Sequence, residues 1–336
     1  MNLSFLAAVV SSATLLSVAL AQPPASMKAI RIHGYGGIDV LKYEDAPRPE
    51  PTEDELLVRV VAAGVNPVDA KVRLGHFRPP GVKMPLIPGY DISGVVEKTG
   101  GKVTKFKPRD AVYAYLSLKR GGAYAEFAIV KESEAALKPT SLSHEEAAAV
   151  PLAASTAWQG LNEIAKLEAG QTVLIHGGSG GVGAFAIQIA KARGAHVIAT
   201  ASAANQELLK QLGADQTIDY RATRFEDVVK DVDVVLDPIA GETMKRSYGV
   251  LKKGGMLVSL LDDPDPAELK ARGIRGTAFL VQPKAATLEE LTRLIEEKKL
   301  QPIVGLVLPL SEATKGHQAI ETGHTRGKIV LKVGDQ

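Results

Sequence analysis

The chain has 336 residues, more than one ordinary hydrophobic core organises, so about two domains are expected. It contains no cysteine, which excludes disulfides, thiolate-held zinc and a cysteine nucleophile. The formal charge of +2 is spread over interspersed Lys, Arg, Asp and Glu without a basic block, so no nucleic-acid partner is expected.

The first element is apolar. Leu3 to Ala21 carries no charged side chain and ends in Ala19-Leu20-Ala21, followed by Gln22-Pro23-Pro24. This predicts a signal peptide over residues 1–21 and an exported protein, periplasmic or secreted, with no stable membrane insertion after cleavage. The n-region lacks Lys and Arg, so a retained anchor or a cytoplasmic chain stays open as the alternative; the stretch nears the roughly 20 residues that span a bilayer.

From Met27 to about Val150 the texture is short strands broken by Pro and Gly. Met27–Ile32, Leu56–Val61, Val95–Lys98, Ala111–Ala114 and Ala125–Val130 read as strands of a mostly-β domain. At Ser143-His144-Glu145-Glu146 an N-cap with acidic residues behind it starts an Ala-rich helix, and Thr156–Leu167 reads as a second. Strands and helices then alternate. Strands are predicted at Val173–Ile175, His196–Thr200, Val232–Leu236 and Gly255–Ser259, and helices at Val182–Arg193, Glu207–Leu212 and Thr243–Leu251. This order predicts a doubly wound parallel sheet. The tail holds a helical stretch, Leu288–Lys299, and strands at Leu306–Leu308 and Lys328–Val333. The expected organisation is therefore α/β: a mostly-β domain over 27–150, a Rossmann domain over 151–282 and a final segment over 283–336.

The sharpest motif is Gly177-Gly178-Ser179-Gly180-Gly181-Val182-Gly183. Gly178, Gly180 and Gly183 satisfy G-x-G-x-x-G between a strand and a helix. The first glycine permits a tight turn, the second lets backbone approach a pyrophosphate, and the third lets helix and strand pack closely. Free N–H groups at the helix start would hold the phosphates. An NAD site places an acid roughly 20 residues further on. Here Ala199-Thr200-Ala201-Ser202-Ala203-Ala204-Asn205 has none. A 2′-phosphate would meet no repulsion, Ser202 and Asn205 could donate to it, and Tyr220 with Arg221 could close the pocket. NADPH is the expected cofactor.

Several motifs in order resemble one family. They are Ala63-Gly64-Val65-Asn66-Pro67-Val68-Asp69, Pro88-Gly89-Tyr90-Asp91-Ile92-Ser93-Gly94-Val95-Val96, Gly121-Gly122-Ala123-Tyr124-Ala125-Glu126, Ala154-Ser155-Thr156-Ala157-Trp158, the glycine loop, Leu212-Gly213-Ala214-Asp215, Asp233-Val234-Val235-Leu236-Asp237 and Gly323-His324-Thr325-Arg326-Gly327-Lys328-Ile329-Val330-Leu331. Together they resemble the medium-chain dehydrogenase/reductase superfamily, in its zinc-free, zeta-crystallin-like quinone oxidoreductase branch, over nearly all of Met27–Val333. The resemblance implies a GroES-like catalytic domain around a Rossmann domain, a cleft between them, C-terminal strands that return to the first domain, and a homodimer. It also implies that no metal is held, because zinc-dependent relatives place Cys at the position of Asn66 and His at that of Tyr90.

By the same resemblance Asn66 lies near the nicotinamide and could donate to the substrate carbonyl, Thr156 supplies a hydroxyl beside the nicotinamide, and Lys328 lies near the cofactor, where its charge would suit a phosphate. Tyr90, Tyr113 and Tyr115 could shape the cleft or donate a proton. Asp69 is expected to cap the helix after Pro67, and Asp91 to be structural. The expected reaction is zinc-independent hydride transfer from NADPH to a quinone or α,β-unsaturated carbonyl. A 2-alkenal or enoyl-thioester reductase on the same scaffold and a non-catalytic NADPH-binding sensor are the alternatives.

Overall fold

The structure, a computed structural model, describes residues 25–334; the expected leader over residues 1–21 lies outside them. In chain order the strands are β1 (Ser26–Arg31), β2 (Lys42–Pro47), β3 (Glu55–Val65), β4 (Asp91–Thr99), β5 (Ala111–Tyr115), β6 (Phe127–Lys131), β7 (Ala135–Leu137), β8 (Thr172–Ile175), β9 (His196–Ala201), β10 (Gln216–Asp219), β11 (Val232–Asp237), β12 (Leu251–Ser259), β13 (Arg275–Ala278), β14 (Val304–Pro309) and β15 (Lys328–Lys332).

Six strands form one parallel sheet in the order β10-β9-β8-β11-β12-β13. The chain leaves β8 in one direction and returns at β11 in the other. The crevice that binds ligands in such sheets lies at this reversal, outside the carboxyl ends of β8 and β11. Those strands are buried on both faces and read as apolar runs: Val173, Leu174, Ile175, Val235 and Leu236 are fully covered. The helix Gly181–Ala192 lies on one face, with Phe185, Ile187 and Ile189 in the core.

A second sheet runs β14-β15-β3-β4-β5-β7, with β6 also on β3. The last strand of the chain thus lies beside β3, antiparallel, with Ile329 opposite Val65. β1 and β2 form a separate hairpin, tied to the domain by an Ala29–Ala125 bridge and by Ile30 N–H donating to the Tyr124 carbonyl at 2.8 Å.

Helix starts follow their local chemistry. Ser143 caps His144–Ala148, accepting from Glu146 N–H at 3.2 Å while the Glu146 carboxylate accepts from Ser143 N–H at 2.8 Å. The helix expected from Thr156 begins earlier, at Pro151, whose missing N–H costs nothing at a first turn. It widens into a π turn over Gln159–Ile164.

Two buried glutamines hold the chain as it passes back to the first domain. Gln159 donates to the Gln282 carbonyl at 2.7 Å and accepts its N–H at 3.0 Å. Gln188 does the same for Gln301, at 3.0 and 2.9 Å. Each side-chain amide copies the donor–acceptor pair of a neighbouring strand.

Candidate active site

The glycine loop follows Ile175. Gly177 has φ +60, a conformation that favours glycine. The tight-turn role expected of Gly178 therefore belongs to Gly177, and Gly178 is needed for packing instead. A Cβ on it would lie 3.1 Å from Ile187 Cδ1 and 3.2 Å from Ala199 Cβ. A Cβ on Gly183 would lie 2.3 Å from the Gly177 carbonyl oxygen. Gly180 differs: its Cβ would meet only the Gly177 oxygen, at 3.4 Å, and its other side is open. Gly180 caps the helix Gly181–Ala192, so the N–H groups of Gly181, Val182 and Gly183 have no acceptor one turn back. An open glycine at the start of a helix fits a diphosphate.

The turn after β11 faces this loop. Asp237 is fully buried, and its Oδ1 accepts from Ile239 N–H at 2.8 Å and Ala240 N–H at 3.1 Å. Ile239 is 51% exposed, and a Cβ on Gly177 would lie 3.3 Å from its Cδ1. Both sides of the crevice thus meet at Gly177. The sequence reading passed over Pro238-Ile239-Ala240, because nothing local marks a loop that matters only by facing another.

At the far end of β9, Ser202 and Asn205 are partly exposed, and Asn205 Nδ2 donates to Ser202 Oγ at 3.2 Å. Tyr220 is 49% exposed, and its N–H donates to the Ala201 carbonyl at 3.2 Å. The Arg221 guanidinium lies 5.7 Å from the Tyr220 ring centre. These four residues share the carboxyl edge of β9 and β10.

On the other domain, three strand ends bring charges together. Asp91 opens β4, opposite Gly64 of β3, and Lys328 opens β15, one residue before the Ile329–Val65 pair. Asn66 immediately follows β3. All three are buried. Asn66 Nδ2 donates to Asp91 Oδ2 at 2.9 Å. Lys328 Nζ donates to Asn66 Oδ1, to the Val65 carbonyl at 3.2 Å and to Asp91 Oδ2 at 3.4 Å. Asp91 Oδ1 accepts from Leu152 N–H at 2.7 Å and so caps the helix that carries Thr156. Burial pushes the Asp91 carboxyl up, while Lys328, Asn66 and the Leu152 N–H pull it back.

Asp69 receives Asn66 N–H at 2.7 Å and the Tyr124 hydroxyl at 2.7 Å, both on Oδ2. Its Oδ1 has no partner. Burial raises its pKa to about 7 against the opposing effect of these hydrogen bonds.

Several expectations need correction. The Lys328 ammonium is buried on Asn66 and Asp91, so its charge is not offered to a phosphate. Its stem instead packs on the glycine loop: a Cβ on Gly181 would lie 2.9 Å from Lys328 Cδ. Next to it, Gly327 N–H donates to the Ser179 carbonyl at 2.8 Å. Tyr90 is 2% exposed inside the β-domain core, and burial, with Asp69 nearby, pushes its hydroxyl above the usual phenol range. Tyr113 and Tyr115 do not line the cleft. Their hydroxyls donate to the Leu288 carbonyl at 2.6 Å and the Val281 carbonyl at 3.2 Å, anchoring the returning chain. The Asn66 amide has its oxygen and one N–H engaged, which leaves one N–H as a donor. Thr156 is 6% exposed and donates back to the Leu152 carbonyl at 2.7 Å, which leaves its lone pairs as acceptors.

A zinc ion does not fit here. An ammonium occupies the space between Asn66 and Asp91, and neither the Asn66 amide nor the Tyr90 phenol supplies the thiolate or imidazole that catalytic zinc takes.

A crevice at the sheet reversal, with open phosphate donors on one domain and a buried amide on the other, defines a nicotinamide-dinucleotide oxidoreductase. Comparison with known proteins narrows this. Residues 52–140 match the alcohol dehydrogenase GroES-like domain, and residues 212–331 match the zinc-binding dehydrogenase model. The chain is 39% identical over 320 residues to 2-methylene-furan-3-one reductase of Solanum lycopersicum, covering 92% of this chain and 79% of that one. It is 39% identical over 332 residues to an NADPH-dependent alkenal/one oxidoreductase of Arabidopsis thaliana, covering 96% and 83%. The quinone oxidoreductase of Coxiella burnetii superposes with a TM-score of 0.86 at 36% identity, covering 92% of this chain and all of that one. The chain belongs to the medium-chain dehydrogenase/reductase superfamily, in its zinc-free quinone oxidoreductase branch.

Proposed function

We propose that the protein reduces small quinones or α,β-unsaturated carbonyl compounds with NADPH. One observation carries the reading: the Lys328 stem lies against Gly181 of the glycine loop while its ammonium joins Asn66 and Asp91, so the open Gly180 turn and the buried amide are linked by one side chain. The phosphates and the reacting carbonyl are thereby given separate, facing sites. The names of the tomato and Arabidopsis relatives supply the substrate class.

NADPH is favoured over NADH by the acid-free edge of β9. Ser202 and Asn205 offer donors, and Arg221 beside Tyr220 offers charge, where a ribose phosphate would lie. The bound nicotinamide would supply a hydride to the conjugated acceptor, whose carbonyl oxygen would gain negative charge, and water would supply the balancing proton. Asn66 provides a hydrogen-bond donor for the oxygen that gains charge. Thr156 and the Gln159 clamp hold the helix that borders the same cleft.

A second copy of the chain is the expected partner. β13 ends the parallel sheet, pairing with β12, and Leu280 and Leu261 beside it are 54% and 47% exposed. Sedimentation would show a dimer.

Fluorescence titration with NADPH and NADH, followed by turnover with an enone, a 2-alkenal and a quinone, tests the reading. Tighter binding of NADPH and NADPH oxidation with at least one acceptor are expected. Equal binding of both coenzymes would remove the NADPH preference. Tight binding without oxidation of NADPH by any acceptor would leave a sensor.

A further inference from the structure

Resting on that function, we propose that Lys328 and Asp91 are positioning residues that fix the polarity of the Asn66 amide, so that it meets the substrate only as a donor. An asparagine side chain is nearly symmetric in shape, and its oxygen and nitrogen exchange places by rotation about one bond. A lone asparagine in a cleft would therefore offer either an acceptor or a donor. Here the two neighbours do not permit the choice. A lysine ammonium has three donors and no acceptor, and an ionised carboxylate has acceptors only. Lys328 meets one end of the Asn66 amide and Asp91 meets the other, with Nδ2 to Oδ2 at 2.9 Å. Rotating the amide would point an N–H group at an ammonium and a carbonyl at a carboxylate.

The nitrogen carries two hydrogens. One goes to Asp91, and the second has no acceptor among the described residues. That second hydrogen remains for an oxygen that gains negative charge. The arrangement is also tied to the coenzyme site. The Lys328 stem lies against Gly181, and Gly327, one residue earlier, bonds to Ser179. The side chain thus sets the spacing between the phosphate loop and the amide 262 residues away. The charge of Lys328 acts on the substrate through Asn66, and its contact with the coenzyme loop is steric.

The test compares Lys328→Met, which keeps much of the stem and removes the charge, with Asn66→Ala, Asp91→Asn and the Lys328→Met/Asn66→Ala double variant. Expected results are a fall in kcat of about 10- to 100-fold for Lys328→Met, an NADPH Kd within about threefold of the parent with the same salt dependence, and a double variant no slower than Asn66→Ala alone. Selective 15N-asparagine labelling gives a readout independent of turnover. The parent should show one pair of Asn66 side-chain resonances, identified by their loss in Asn66→Ala, and Lys328→Met should show two pairs or exchange broadening. If Lys328→Met does not fold, Asp91→Asn carries the same test, since asparagine can both donate and accept. A tenfold or larger, salt-sensitive rise in NADPH Kd would make Lys328 a phosphate ligand and overturn the inference. So would independent, multiplicative losses in the double variant, or a single unbroadened amide pair in Lys328→Met. If the parent protein oxidises no NADPH with any acceptor, the functional reading fails, while the labelling experiment still decides the polarity.

Discussion

Gly183 lies so close to Gly177 that a Cβ on it would sit 2.3 Å from the Gly177 carbonyl oxygen. The Gly183→Ala variant must push helix and strand apart, and a loss of about 1–3 kcal/mol or more is expected. Gly180 has room and an extended backbone, φ −79 and ψ 176, which any residue adopts. Gly180→Val should therefore change stability by no more than about 0.5 kcal/mol and yet weaken coenzyme binding tenfold or more by filling the space a diphosphate needs. Thermal melts and fluorescence titrations on both variants check this contrast. Equal melting losses would mean that the loop does not divide its glycines between packing and binding.

Ala240 is held at φ +63 and ψ −160, a region almost confined to glycine, by the two hydrogen bonds its turn gives Asp237. Ala240→Gly should relieve this strain. The gain is offset in part by a freer unfolded chain, leaving about 1 kcal/mol of added stability. Urea denaturation would show a higher midpoint with an unchanged slope. A lower midpoint would mean that the turn is not strained.

Asp69 makes stability depend on pH in an unusual direction. Burial raises its folded pKa to about 7, above the ordinary carboxyl value of 3.8. Its contribution is therefore fully present below pH 3.8 and is lost as pH rises through about 7. Asp69→Asn keeps an acceptor for Tyr124 and Asn66 and removes the titration. The difference in unfolding free energy between parent and variant should shift on the order of 2–4 kcal/mol against the parent from pH 4 to pH 8.5. A difference that stays constant with pH would contradict the burial argument.

Three histidines act in the opposite sense. Burial lowers His176 and His317 to about 3 and His144 to about 4, all below 6.5. Their stabilising effect is present above pH 6.5 and is lost as pH falls towards those values. His176 shows the cause: its nitrogens face Thr200 Oγ1 at 3.2 Å and Ser247 Oγ at 2.9 Å, with no carboxylate bonded to it. Stability should fall steeply below pH 6, and His176→Gln should flatten part of that slope. An unchanged slope would show that His176 does not titrate on unfolding.

The clamp at Gln159 predicts a defect between domains. Gln159→Leu leaves the part-buried Gln282 N–H and carbonyl without their partner, at a net cost of about 0.5–1.5 kcal/mol for each hydrogen bond lost. Calorimetry should show a lower, broader transition than the parent. A transition of unchanged position and width would show that the returning chain is held by other contacts.

The glycine loop was legible because its information is local: strand, turn, helix and the spacing of three glycines all fall within a dozen residues. The parallel sheet was legible for a similar reason, since its buried strands are continuous apolar runs. β10 was expected only as an unbounded strand before Tyr220, and β13 was not foreseen. Gln216–Asp219 buries only Ile218, and Arg275–Ala278 is an edge strand with no fully buried residue. Tyr113 and Tyr115 show a different limit. As tyrosines on a strand they could have shaped the cleft, and the pleat turned both towards the returning chain. Asp91 was read as structural and Lys328 as a phosphate ligand because their meeting depends on the register of three strands, which no local pattern reveals. Only the docking of β15 against β3 brings Lys328 to Asn66.

The bond from Gly327 to Ser179 also has a temporal side. The phosphate loop is synthesised in the middle of the chain, but the strand that fastens it and carries Lys328 ends at Lys332 of 336 residues. A chain that holds the loop but has not yet docked β15 on β3 lacks this fastening.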